Sequence, residues 1–386
     1  MNSLAYVRIE RNLSPESVAV ELDTSVDRIL KFESGEAKPT VGQLRDLSEI
    51  YGVSDYLLVT RQKPNVEPLL VDFRKDDAGP LVASARGLNN LFAMREKAFT
   101  LAHVRALVGP APSLVFETLS LDQLEPAVTD LHALFRFDPT QSRFTEDVDW
   151  TYKALRHKNE RLGAFTFTSY APPSDYRGFF DSVHRDYGLV YINKGQKHFS
   201  PKAKLFTWAH EFAHYLTRLE GASDPFVVNN EIERTCNRFA SEFLCPKSYF
   251  EDLTRDAFQR TNSVADRISF ISSRSLLSKG AAAYRLVLLN RLSRHDYEEW
   301  RERARFAKDS SHEDPPEDLE VDGGSGGHWA YNVVTDNGIA GVQTVERALE
   351  AGVIDEVDAS RLLNARGDTL KLAFKTANNR AQEIDS

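Results

Sequence analysis

Residues 206–216, FTWAHEFAHYL, set His210 and His214 four positions apart with Glu211 directly after the first. Leu205, Phe206, Ala209, Phe212, Ala213 and Leu216 recur around them at helical spacing, so the stretch reads as a largely buried helix. On a helix, residues i and i+4 stand one turn apart on one face, and both imidazoles can address a single point about 2 Å from each. Glu211 projects beside that point. There a base can take a proton from a metal-bound water without joining the coordination sphere. Paired histidines in a buried helix need partners, and a metal supplies them. The motif predicts one Zn2+ per chain, with other divalent first-row ions as competitors for the site.

A catalytic zinc needs a third protein ligand and an open fourth position. The next histidine after His214 is His295, too distant for the extended three-histidine pattern, so an acid is expected. NNEIERTCNRFASEFLCP, residues 229–246, offers Glu233 and, as a rival, Glu231, because helix phase alone separates them weakly. Glu233 is favoured, since Asn237 one turn later can hold a histidine or the carboxylate from behind. Cys236 reads as a buried reduced thiol turned about 60° from Glu233.

The rest of the chain supplies the frame. LGAFTFTSY (162–170), YRGFF (176–180) and LVYINKG (189–195) are aromatic and β-branched, bounded by Gly, Pro and Asp, and read as a small sheet ahead of the motif helix. Before them, 82–109 and 120–135 look helical, and further helices follow to about 307. KDSSHEDPPEDLEVDGGSGG (308–327) has linker composition, and VQTVERALEAGVIDEVDASRLLN (342–364) looks like a helical pair. At the start, Ser14, Ser25 and Thr40 are N-cap signals for successive short helices, with Gly35 and Pro39 as stops. The fold class predicted is mainly α with a small β-sheet, α+β. It divides into an N-terminal domain over 1–63, a helical connector over 64–139, a metal-binding domain over 140–310, and a linker with a helical region over 311–386.

With 386 residues, two cysteines and a net charge of −9, the chain needs no disulfide framework and suits a reducing, cytoplasmic setting. No apolar run approaches the roughly 20 residues of a membrane span, and MNSLAYVRIERNL carries charges where a signal peptide needs an apolar core. The global charge repels phosphate, so contact with nucleic acid would need a local patch.

Two resemblances sharpen this reading. Ser14, Ala19, Leu22, Ser25, Ile29, Glu33, Gly35, Pro39 and Thr40 resemble the five-helix helix-turn-helix domain of the XRE repressor family. That resemblance nominates Val26, Asp27, Arg28 and Lys31 for the major groove of operator DNA. Pro15, Asp23 and Asp27 depart from the pattern, and residues 1–63 carry eight Lys and Arg against ten Asp and Glu, which also suits dimerisation or a protein partner. FTWAHEFAHYL followed by ERTCNRFASEFLCP is similar to the ImmA/IrrE family of bacterial zinc metallo-endopeptidases, as are Arg177, Gly178 and Asn193 in the strands before it. That resemblance covers roughly 140–310 and implies a gluzincin-like ligand set of His210, His214 and Glu233 with Glu211 as general base. It further implies cleavage of a helix-turn-helix repressor in a stress-response or mobile-element circuit. The alternative is an operator-binding regulator, possible as a homodimer, whose metal domain senses without cutting. An oxyanion donor is not placed by the sequence; His328, Tyr331 and Tyr176 are the residues considered.

Overall fold

The capping signals at the start of the chain act as read. The computed structural model describes residues 3–11, 13–53, 58, 84–109, 118–172, 175–184, 187–195, 200–219, 221–223, 231–310 and 326–385. Helices α1 (Ser3–Glu10), α2 (Pro15–Glu21), α3 (Val26–Ser34) and α4 (Val41–Tyr51) form the N-terminal unit. Ser14 Oγ accepts from Ser17 N, Ser25 Oγ from Arg28 N, and Thr40 with Gln43 closes a capping box. Asp23 takes the left-handed conformation, φ 48°, at the turn between α2 and α3, a position that aspartate tolerates where a β-branched residue would not. Val18, Ala19, Ile29, Phe32, Leu47 and Tyr51 face inward, whereas Val41, periodic in sequence, is exposed. The expected fifth helix lies outside the described residues, apart from buried Leu58. So do the turn at 110–113 and residues 311–325 of the acidic linker.

Helix α5 (Ala85–Val108) ties this unit to the sheet. On one side the Arg11 guanidinium stands 3.7 Å over the Phe92 ring while its Nε donates to Tyr51 O at 3.1 Å. On the other, Arg95 pairs with buried Asp181 at 2.9 Å, and Asn90 donates to the Tyr176 and Tyr191 hydroxyls. After α6 (Val128–Phe135), α7 (Ser142–Glu146) and α8 (Val148–Arg161) come β1 (Ala164–Ser169), β2 (Gly178–His184) and β3 (Tyr187–Asn193). The sheet order is β1-β3-β2-β4, with β1 parallel to β3 and β2 antiparallel to both its neighbours. Strand β4 (Gly221–Ser223) was not expected, because three small residues, GAS, carry no strand signal.

Alternate residues of the central strands serve two cores, as a period of two requires. Phe165, Phe167, Phe179, Leu189 and Tyr191 face the side of α5 and α15, whereas Ala164, Phe180, Val190 and Ile192 face α9 and α10. Helices α9 (Pro201–Thr217), α10 (Glu231–Leu244), α11 (Lys247–Arg260), α12 (Val264–Arg274), α13 (Lys279–Leu288) and α14 (Arg294–Ser310) follow. The expected helical pair at 342–364 belongs to a larger array of α15 (Gly326–Glu350), α16 (Glu356–Leu363) and α17 (Gly367–Asp385). Helix α15 kinks at Gly338, φ 74°, where a Cβ would stand 2.2 Å from Glu160 Oε1. The freed backbone is repaired by Glu160, which accepts from Ala340 N at 3.0 Å and from Arg156 Nε at 2.8 Å. No helix of the described residues is long and apolar enough to cross a membrane.

Lys97 of α5 is held under this array, donating to Asn337 Oδ1 with its ammonium 5.3 Å from the Phe167 ring. Burial pushes its pKa down from 10.5 to about 8, against a smaller opposing effect of Asp336. Between those two values the unfolded chain binds more protons than the folded one, so this residue's contribution to stability rises with pH. Chemical denaturation should therefore show wild type gaining on Lys97→Met between pH 8 and 10. Parallel stability curves for the two proteins would contradict the assignment.

Candidate metal centre

Helix α9 begins with Ser200, whose Oγ accepts from Ala203 N, and with Pro201 in its first turn. Its apolar face, Leu205, Trp208, Ala209, Phe212 and Ala213, is wholly buried, and that burial carries the polar residues of the motif inside as well. His210 and His214 are each 1% exposed and Glu211 is 0% exposed, so none can be satisfied by bulk water. Helix α10 lies alongside, its Phe239 and Phe243 rings 6.0 and 5.9 Å from Phe212. This contact sets the phase of α10. Glu233 comes over the histidines and Glu231 faces solvent.

The three groups meet closely. His210 Nε2 and His214 Nε2 are 3.3 Å apart, and the Glu233 carboxylate places one oxygen 3.1 Å from the first and the other 3.3 Å from the second. Among the described residues, these three form the cluster of ligand-type atoms, all within 4.8 Å of one another. Each histidine is oriented from behind: His214 Nδ1 donates to Leu219 O at 2.9 Å, and His210 Nδ1 stands 3.0 Å from Asn237 Oδ1. A carbonyl only accepts, so the His214 proton sits on Nδ1 and the Nε2 lone pair points into the centre.

The donor set fits a metal ion. Two tetrahedral nitrogen ligands at zinc distances lie about 3.3–3.4 Å apart, which is the Nε2 separation found here. Buried Glu233 Oε2 accepts no aligned hydrogen bond despite its closeness to His210 Nε2, leaving its lone pairs for a cation. The field has the same sign. Burial pushes His214 down, but the Cys236 thiol, Glu233 and Glu211 outweigh it and raise the ring well above its ordinary pKa. Burial pushes Glu233 up, and His210 and His214 reverse that to hold its carboxyl far below the usual range.

Glu211 stands outside this trio but against it. Its carboxylate is pressed to the start of β2, where a Cβ on Gly178 would meet Glu211 Oε1 at 2.7 Å and Tyr191 O at 2.8 Å. The glycine in YRGFF is thus a spatial requirement of the carboxylate, a signal present in the sequence but read only as part of a resemblance. Cys236 is wholly buried with a free thiol that reaches His214, so the centre has a soft neighbour that helix phase had turned away. Tyr176 is committed elsewhere, donating to Gly87 O at 2.7 Å. Tyr331 lies under Arg380, whose guanidinium is 3.8 Å from its ring, and the His328 side chain is outside the described residues.

The residues nominated for a DNA groove lie together on α3. Asp27 and Arg28 are exposed, Val26 is half-buried, and Lys31 Nζ is tied to Asp27 Oδ2 at 2.6 Å. Arg28 leans over Phe32, 5.1 Å from its ring.

Comparison with known families agrees with this layout. Residues 159–287 match the model of the IrrE N-terminal-like domain, a peptidase family, and residues 4–58 match Helix-turn-helix. The chain joins a helix-turn-helix domain to an IrrE-type metallopeptidase domain. No curated protein and no solved structure matches it significantly. The IrrE-like match takes in the sheet, α9 and α10, and so the whole cluster; such a family implies a metal cofactor, typically zinc.

The geometry separates the two candidate acids. Glu233→Ala should weaken metal affinity by roughly 10- to 100-fold or more, whereas Glu231→Ala should leave it unchanged, as read by competition with a chromogenic chelator. Equal losses in the two variants would count against the arrangement.

Proposed function

We propose that the chain is a zinc-dependent endopeptidase that cleaves a protein, specifically a helix-turn-helix transcriptional repressor, in a bacterial stress-response or mobile-element circuit. The observation that carries this reading is Glu211, a wholly buried carboxylate set beside three converging ligands rather than among them. His210, His214 and Glu233 would hold zinc, which when bound supplies a Lewis acid that acidifies water and polarises a scissile carbonyl. Glu211 takes the proton of the attacking water and returns it to the leaving amine nitrogen. Gly178 keeps the space that carboxylate needs, while Asn237 and Leu219 fix the two imidazoles in the ligand tautomer. The helix-turn-helix domain supports a repressor as substrate, because it offers the peptidase a surface for recruiting a DNA-bound or similarly folded protein. Two free buried cysteines suit a reducing cytoplasm.

Incubation of metal-loaded protein with repressors encoded beside its own gene tests this reading. Wild type should yield one defined cut by mass spectrometry, and Glu211→Gln should lower its rate by roughly 10²–10⁴-fold while keeping its metal. Unchanged cleavage by Glu211→Gln would remove the general-base role.

The Helix-turn-helix match and exposed Arg28 support a second reading, an operator-binding regulator whose metal domain senses without cutting. Asp27 opposes it by neutralising Lys31 on the outer face of α3. Under this reading Asp27→Asn should tighten operator binding, and Arg28→Ala should weaken it and lower the salt slope, in fluorescence titrations at several salt concentrations. Operator affinity insensitive to both changes would leave α3 without a role in the groove.

A further inference from the structure

The first turn of α9 carries a lysine that no ion pair holds. Lys204 Nζ lies 4.2 Å over the Tyr152 ring of α8. Asp149, Tyr152, Lys153 and Arg156 follow one another at helical spacing along one side of α8, and Lys194 comes from just past the end of β3. Arg156, Lys194 and Lys153 repel the Lys204 charge, while Asp149 attracts it. Three of these four cations have carboxylates of their own: Lys153 pairs with Asp149, Arg156 with Glu160 at 2.8 Å, and Lys194 with Asp336. Among the described residues the Lys204 ammonium has neither a paired carboxylate nor a hydrogen-bond acceptor, and its side chain is half-buried against the phenol ring.

These surroundings favour the neutral amine. Burial is the largest cause, the three cations add to it and Asp149 opposes it, so that the pKa falls from 10.5 to about 8. The helix dipole acts in the same direction, since positive charge is disfavoured near a helix N-terminus. Near neutral pH an appreciable fraction of the amine therefore carries a free lone pair, the state in which a lysine beside other cations is a nucleophile. Lys97, also lowered to about 8, differs in geometry, because its ammonium donates to Asn337 Oδ1 beneath α15. Lys204 makes no such bond among the described residues, and the neighbouring cations draw an anionic reagent toward it.

We propose that Lys204 is a covalent modification site that accepts an acyl group from an acyl phosphate. The amine nitrogen attacks the acyl carbon, an amide forms as the bond from that carbon to the phosphate oxygen breaks, and the released phosphate takes up the proton that the amine loses. The product is neutral, so the repulsion from Arg156, Lys194 and Lys153 ends. Lys204 precedes His210 by six residues, about 9 Å of helix, so the change falls on the element that bears the metal cluster without entering that cluster.

Incubation of the full-length, metal-loaded protein with acetyl phosphate near neutral pH, followed by peptide mapping over time, tests this. Lys204 should be acetylated about ten-fold or more faster than the exposed Lys371 and Lys375 of α17. Lys194→Gln should lower the Lys204 rate about three-fold or more, because it removes a charge that both attracts the reagent and disfavours the ammonium. Lys153→Gln should act in the same direction for the same reason. Labelling of Lys204 no faster than that of Lys371 and Lys375, or a Lys204 rate unchanged by both substitutions, would overturn the proposal.

Discussion

The contact of α10 with α9 is the constraint on which the centre depends. Phe212 projects from the face of α9 next to the one bearing the histidines and meets Phe239, Phe243 and Phe135, while Trp208 stacks on it at 5.3 Å. Each ring so buried contributes about 1.5–3 kcal/mol, and the interlocking edges leave α10 little freedom to rotate. Rotating α10 by one residue would move every side chain by about 100° and take Glu233 away from the two nitrogens. The apolar packing thus stabilises an arrangement that electrostatics alone would oppose, since it brings three lone-pair donors into a space from which water is excluded.

The same economy of elements is seen in α5. The apolar core of the N-terminal unit and the α5-facing side of the sheet are continuous through Leu88, Leu91, Ala98 and Leu101, so the two family domains share one hydrophobic cluster. Polar contacts fix the register along it. Asp175 accepts from Ser84 at the first turn of α5, Asn90 bridges two tyrosines, and Arg95 meets Asp181 of β2. Strand β2 is also the one whose Gly178 abuts Glu211. A single helix therefore bears the helix-turn-helix domain on one side and the strand that abuts Glu211 on the other.

The fold class and the convergence of His210 and His214 were legible because each depends on local signals: a period of 3.6 for the helices, and aromatic and β-branched composition for β1 and β3. Choosing between Glu233 and Glu231 required tertiary information, for both fall within one turn and only the burial of Phe239 and Phe243 fixes the phase. The kink at Gly338 was not readable, since its reason is Glu160, far away in sequence. Strand β4 escaped because backbone pairing to β2, and not side-chain propensity, makes it a strand.

The end of α9 shows how a single backbone choice can set chemistry. If the helix continued past Thr217, the Leu219 carbonyl would point along the axis and away from the turn that bears His214. The positive φ of Arg218 instead reverses the chain, so that Leu219 O faces back and accepts the His214 Nδ1 proton. That bond assigns the tautomer, and the tautomer directs the free lone pair toward Glu233 and His210. The reversal also swings the Arg218 side chain onto the Tyr215 ring and to the Tyr187 carbonyl. Helix termination, ligand protonation and the position of a guanidinium are therefore one structural event, and a change in any one of them is transmitted to the other two through three consecutive residues.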